Sequence, residues 1–295
     1  MSVTDRVPTV RWGRVRSGLG RLARNPLSVV GILIIATVIL SGVFAPVVAP
    51  YPTANTGIPH FEDQTEAPSG DHLMGTDRLG RDIFSRVLYG ARISILMGVV
   101  VLTIAIGIGV PLGLVAGYLG GWVGTVIMRV TDIFLAIPPI VLALAVAALV
   151  EPTLWNAMIA IAFAWWPWYT RLTNGEVLSV KQEEFIEASE SIGASWPRIT
   201  FREILPNILA PITVKASLDM GFVILVGAAL AFLGLGATPP TPSWGAMIAQ
   251  GRDYITTYWW MSTFPGLAIS FTVLGFNFLG DGLRDLFDVE VSRYE

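Results

Sequence analysis

An apolar run from Leu27 to Ala49, about 23 residues without a charged side chain, constrains this chain more than any other stretch. It is long enough to cross the roughly 30 Å hydrocarbon core of a bilayer as a helix, and longer than the roughly 7 to 15 residues of a signal-peptide core. Pro50 would also sit badly behind a cleavage site at Ala49, so the run is read as an uncleaved first span. Six arginines precede it, at Arg6, Arg11, Arg14, Arg16, Arg21 and Arg24. A flank of that kind stays in the cytoplasm.

The rest of the chain continues in the same vein. Charged residues make up 14% of it, apolar ones 53%, and the mean hydropathy is +0.64, whereas a soluble domain carries about a quarter charged residues. The expected fold class is all-α, a polytopic membrane protein of six transmembrane helices. No segment is large enough for a second soluble domain. The net charge of -3, with no basic patch carrying interleaved aromatics, gives nucleic acid nothing to bind and leaves the lipid bilayer as the environment. Cysteine is absent, so neither disulfides nor thiolate metal sites arise.

From Pro50 to about Arg92 the chain turns polar and acidic, with Pro52, Gly57, Pro59, Pro68 and Gly70 punctuating a long external loop. Ile93 to Tyr118 is the second span, and Gly109, Gly113 and Gly117 recur every fourth residue on one face, a spacing that permits close helix packing. Thr125 to Val150 is the third, kinked at Pro138 and Pro139. Within it Asp132 has Arg129 one turn away as a partner, which favours a structural anchor at the membrane boundary over a substrate contact. The fourth span, Leu154 to Tyr169, ends in an aromatic belt of Trp165, Trp166, Trp168 and Tyr169. The fifth covers Ile212 to Gly236, with Lys215 and Asp219 spaced for an i, i+4 ion pair, and the sixth covers Met261 to Leu279. Thirteen positive residues then fall inside against five outside, so both termini are expected in the cytoplasm.

Between the fourth and fifth spans lies a polar stretch, Glu184 to Pro211. Phe185, Ala188, Ser189 and Ile192 recur at i, i+3, i+4 and i+7, which predicts a helix from about Lys181 to Ile192 with these residues on one face and the glutamates on the other. Gly193 stands where that helix would end in a left-handed residue. Ser195, Trp196 and Pro197 then start a second short helix, expected to stop by Pro206. Two short helices joined at a glycine make a rigid knuckle suited to pushing or being pushed.

Glu187, Ala188, Ser189, Gly193, Leu205 and Pro206 resemble, in spacing, the EAA loop of ABC importer permeases. Ser189 replaces that pattern's second alanine, and Glu203 stands at its apolar position with Ile204 one residue later. The stretches Met74 to Ser94 and Ala231 to Val289 likewise resemble permeases of the dipeptide, oligopeptide and nickel importers. Two departures are Asn174, where those proteins often carry arginine, and Gly227, where they commonly carry glutamate. The resemblance implies a type I importer permease in the plasma (inner) membrane and a coupling loop at 171–211. Glu184, Glu187, Ala188, Ser189, Gly193, Ala194, Leu205 and Pro206 are its contact residues. It also implies a second, unlike permease subunit, cytoplasmic ATPase subunits and an external substrate-binding protein. The chain then divides into a tail (1–26), the first span (27–49), an external loop (50–92), a five-helix core (93–283) and a C-terminal tail (284–295).

No GxxxxGK[ST] phosphate cradle is present, so ATP must be hydrolysed by partner subunits, and no catalytic residue or cofactor is expected on this chain. His60 and His72 lack metal-ligand spacing and read as solvated loop residues. Asp281 in FLGDG lacks the glycine that an intramembrane aspartyl protease requires, because Phe278 stands there. Asp132 and Asp219 both read closer to the inner end than to the midplane, and no internal repeat stands out, which disfavours an ion-coupled secondary carrier. Permeases of this type handle dipeptides, longer peptides, nickel chelates or oligosaccharides, and di- or oligopeptides are the favoured class.

Overall fold

A computed structural model of the protein describes residues 25–52 and 58–291. The expectations for the arginine-rich tail before residue 25 and for the last four residues fall outside it. The described residues are mostly helical, and the longest non-helical part is the stretch ahead of Ile83.

Helix α1 spans Pro26–Val48; Asn25 caps it by accepting from Leu27 N at 3.0 Å, and Pro26 sits where a missing N–H costs nothing. It buries only the narrow strip Ser28, Gly31, Ile35, Gly42 and Ala45. Leu33, Val43 and Val47 lie on its exposed surface, as suits a helix facing hydrocarbon. Helix α2, Ile83–Leu119, has 37 residues and starts ten residues ahead of the span expected from Ile93. The signal for that start is local: Asp82 Oδ2 accepts from Ser85 N at 2.7 Å. At about 1.5 Å per residue α2 is longer than the hydrocarbon core is thick.

Helices α3 (Gly121–Leu135) and α4 (Pro139–Ala147) meet at 83°, a break rather than the expected kink. Pro138 and Pro139 cause it, since two successive residues without an N–H also force the residues before them out of helical geometry. Helix α5, Leu154–Val180, runs eleven residues past its expected end at Tyr169. Helix α6 is Glu184–Ser191, shorter than the expected Lys181 to Ile192.

The next segment departs most from expectation. A single helical turn, α7 (Trp196–Arg198), passes into a π-helical stretch at Ile199–Ile204 and on into α8 (Leu205–Phe232) without a stop at Pro206. Widening the helix just ahead of Pro206 accommodates a residue that has no N–H and whose ring would press on the carbonyl four residues back. Two further helices, α9 (Trp244–Gly251) and α10 (Trp260–Val291), complete the described chain.

Among the described residues, four helices are long and apolar enough to cross a membrane, and the broken α3–α4 pair is so only when its two halves are taken together. Helix α5 is not among them, although its 27 residues suffice in length. One face of it, with Ala157, Met158, Ile161, Ala164 and Tyr169, is buried in the bundle, while Trp155, Ile159 and Phe163 are exposed. The α2–α5 pair is the most extensive packing in the molecule; α8 lies against α10 and α2, and α10 against α1.

At the end of the bundle where α2 begins, residues 58–82 form a folded cap over α9 and α10. Asp77 accepts from the backbone of Leu79 at 2.8 Å and from Arg81 Nε at 2.7 Å, while Arg81 also donates to Gln250 on α9 at 3.2 Å. Arg86 Nε lies 3.8 Å from Asp77. His72, expected to be solvated, is instead 5% exposed, 3.0 Å from Asp82 and stacked on Tyr51. Trp260 Nε1 donates to Thr76 O at 3.1 Å, tying the cap to α10, and Trp244 Nε1 donates to Val87 O at 3.0 Å, tying α9 to α2.

Candidate functional site

At the opposite end lies the knuckle between α5 and α8. Gly193 has φ +79°, and the turn closes through Gly193 N to Glu190 O at 2.9 Å and Ala194 N to Ser189 O at 3.1 Å. A β-branched residue there would be strained. The face that points inward is not the expected one: Ile186 is fully buried against the core, whereas Phe185 and Ile192 are exposed, Ile192 by 80%. Glu184, Glu187 and Ala188 are exposed, Ser189 and Ala194 half-buried, and Leu205 and Pro206 lie where the π stretch joins α8. Trp196 and Phe201 extend the exposed apolar surface. Glu203 is half-buried, and its Oε2 has no hydrogen-bond partner among the described residues.

Two contacts tie the knuckle to α2, one from α6 and one from Lys181 at the end of α5, neither of them read from the sequence. Tyr118 OH donates to Glu190 Oε1 at 3.0 Å, and Lys181 Nζ donates to Tyr118 O at 2.8 Å while lying 5.0 Å above the same ring. Tyr118 is the last aromatic of the expected second span, and that position at a helix end was the only available hint. The expected glycine stripe faces α5: a Cβ at Gly113 would come within 2.6 Å of Thr173, one at Gly117 within 2.7 Å of Val177, and one at Gly109 would meet Trp166 O. At Gly227 the room for a longer side chain is filled by Met97 from α2.

The charged pairs divide. Asp132 is joined to Arg171 on α5, not to Arg129, which lines the same open cleft at the end of α3. Helical spacing allowed the i-3 partner, but the docking of α3 on α5 brings a guanidinium from 39 residues away. Lys215 and Asp219 do pair, at 3.1 Å. Lys215 Nζ also lies 5.5 Å from the ring centres of both Trp168 and Tyr169. Asp219 sits at the middle of the 28-residue α8. The pair lies in an otherwise apolar groove of about 510 Å³ between the start of α4, α5 and α8. Among the described residues no His, Asp or Glu cluster could hold a metal.

The helical architecture, the folded cap and the glycine-jointed knuckle together define a membrane transport permease. The chain belongs to the family described as binding-protein-dependent transport system inner membrane component, whose model matches residues 109–293, and residues 12–68 match the N-terminal transmembrane domain of oligopeptide transport permease C. It is 46% identical to the dipeptide transport system permease protein of Alkalihalophilus pseudofirmus, over 94% of this chain and 90% of that protein. Identity is 46% to a probable D,D-dipeptide transport system permease protein of Escherichia coli, over 90% of this chain and 89% of the other. It is 42% to a glutathione transport system permease protein of Shigella flexneri, over 99% and 97%. In fold it matches the inward-facing MetNI methionine ABC transporter with a TM-score of 0.56 at 18% identity, over 69% of this chain and 97% of that one. It is thus a multi-pass inner-membrane permease of an ABC importer, a family that works with an ATPase and a substrate-binding protein.

Proposed function

We propose that this chain is one of two unlike permease subunits of an importer that carries short peptides, driven by ATP hydrolysed on separate cytoplasmic subunits. The substrate class follows from relatives named for dipeptides, D,D-dipeptides and glutathione. Those compounds differ in side chains, chirality and linkage, and share a free ammonium and free carboxylates. The knuckle is the coupling surface. The observation that carries this is its division of labour: Ile186 is buried in the bundle while Phe185, Ile192, Trp196 and Phe201 are exposed among the described residues.

An ATPase that grips Glu187, Ala188 and the apolar residues around Gly193 can then drive the bundle in two ways. It pulls on α2 through Tyr118–Glu190, and it turns α8 through the unbroken run from Trp196. This places residues 171–211 and both termini in the cytoplasm and the cap at 58–82 outside, facing the binding protein. No cofactor acts on this chain.

The test is to purify the intact transporter from its host in mild detergent, reconstitute it and measure dialanine uptake with the binding protein added. Uptake that needs ATP and is lost in Glu187→Lys at normal protein levels is the expected result. Uptake that follows an ion gradient without ATP overturns the reading.

A further inference from the structure

We infer that the Lys215–Asp219 pair is a peptide-orienting station on the transport path, taking the free carboxylate of a short peptide on Lys215 and its ammonium on Asp219. This rests on the reading of the chain as a short-peptide permease. Three observations carry it.

First, the pair stands at the middle of α8 in an open groove, and ionisable groups at membrane depth are costly unless they face protein or a water-filled path. Second, the groove carries a buried donor with no partner. Trp165 Nε1, only 6% exposed, has no acceptor among the described residues, and Asp219, with both oxygens 3.1 Å from Lys215 Nζ, has no aligned hydrogen bond to its Oδ2. These are places a ligand's own donors and acceptors would fill. Third, the Pro138–Pro139 break opens onto the groove, and non-helical backbone at membrane depth is tolerated where it lines a cavity.

The groove's volume of about 510 Å³ lies within the range of small-molecule sites. Its walls, such as Trp168 and Phe222, are apolar and without directional demands, so side chains of many shapes pass while the two charged ends set the orientation. Opposite charges on one helix turn match opposite charges on one small zwitterion. A lipid chain or an apolar face of a second permease would satisfy neither.

The experiment uses the complete reconstituted transporter with its binding protein and three probes: dialanine, dialanine amide (no carboxylate) and N-acetyldialanine (no ammonium). Because the binding protein is the same throughout, its own selectivity cancels when variant and wild type are compared. Lys215→Met is expected to lower the dialanine to dialanine amide uptake ratio at least tenfold, and Asp219→Asn to lower the dialanine to N-acetyldialanine ratio likewise. The double exchange Lys215→Asp with Asp219→Lys keeps an ion pair and guards against simple misfolding; both ratios should remain low in it. Where a capped probe enters too slowly to count, its competition with labelled dialanine for photocrosslinking to benzoylphenylalanine at Phe222 supplies the same ratio. Equal slowing of all probes, or full rescue by the double exchange, would show a purely structural pair and overturn the inference. So would unchanged ratios. Failure of the wild type to take up dialanine with ATP overturns the proposed function itself, a result read before any variant is made.

Discussion

Asp77 and Glu187 are carboxylates on loops at opposite ends of one bundle, and they are held in opposite ways. Asp77 is 6% exposed and fully engaged by its own chain, accepting from two backbone amides and from Arg81, which is itself only 3% exposed. Glu187 is exposed, on a helix whose Phe185 is exposed as well. The cap therefore behaves as part of the folded core, because buried charges are tolerated only when paired. The knuckle is anchored by the buried Ile186, Ile199 and Ile204 and by the Tyr118–Glu190 bond, and it leaves Phe185, Glu187, Ile192, Trp196 and Phe201 exposed for a second protein. A loop finished within its own chain acts as structure, and one left unfinished marks where another chain binds.

The largest effect that would test this contrast is expected in the cap. Asp77→Ala leaves the buried Arg81 guanidinium without its carboxylate and should cost about 3 to 5 kcal/mol. Thermal unfolding of the purified permease checks it, and a variant as stable as wild type would break the comparison. An intermediate effect belongs to Gly193→Val. Forcing a β-branched residue to φ +79° should cost about 1 to 2 kcal/mol, while ATP-driven uptake falls far more than stability because α6 can no longer hold its angle to α8. Uptake that merely tracks the amount of folded protein would show that the joint does not transmit force. The smallest effect on the fold is expected for Ile192→Ser, within about 0.5 kcal/mol at so exposed a position. Retention of the ATPase subunits during purification should nonetheless drop, and undiminished retention would remove Ile192 from the docking surface.

Much of this was legible in the residues. The first span was read as Leu27 to Ala49 and the helix is Pro26–Val48, because an uninterrupted apolar run bounded by an Asn-Pro cap leaves little freedom. The left-handed joint at Gly193 was legible for a similar reason, since glycine was the only residue nearby that accepts positive φ without strain. The buried face of α6 was not. Phe185 and Ile186 are adjacent and both apolar, and in an eight-residue helix the spacing pattern cannot say which one the bundle will take. The end of the helix at Pro206 was misread because the rule for proline assumes α-helical geometry ahead of it, and the chain uses a π turn instead.

Sequence alone determined that the chain spans a membrane, where it turns, where the knuckle bends, and that Lys215 and Asp219 lie one turn apart. Those are local matters of apolar length, backbone freedom and helical period. Only the tertiary structure decided that Asp132 meets Arg171, that His72 is sealed inside a folded cap, that Glu190 reaches Tyr118, and that the Lys215–Asp219 pair opens into a groove. Each depends on how far one helix slides or turns against another. That is set by packing summed over whole faces, such as the glycine stripe of α2 against α5, and no single stretch of residues encodes it.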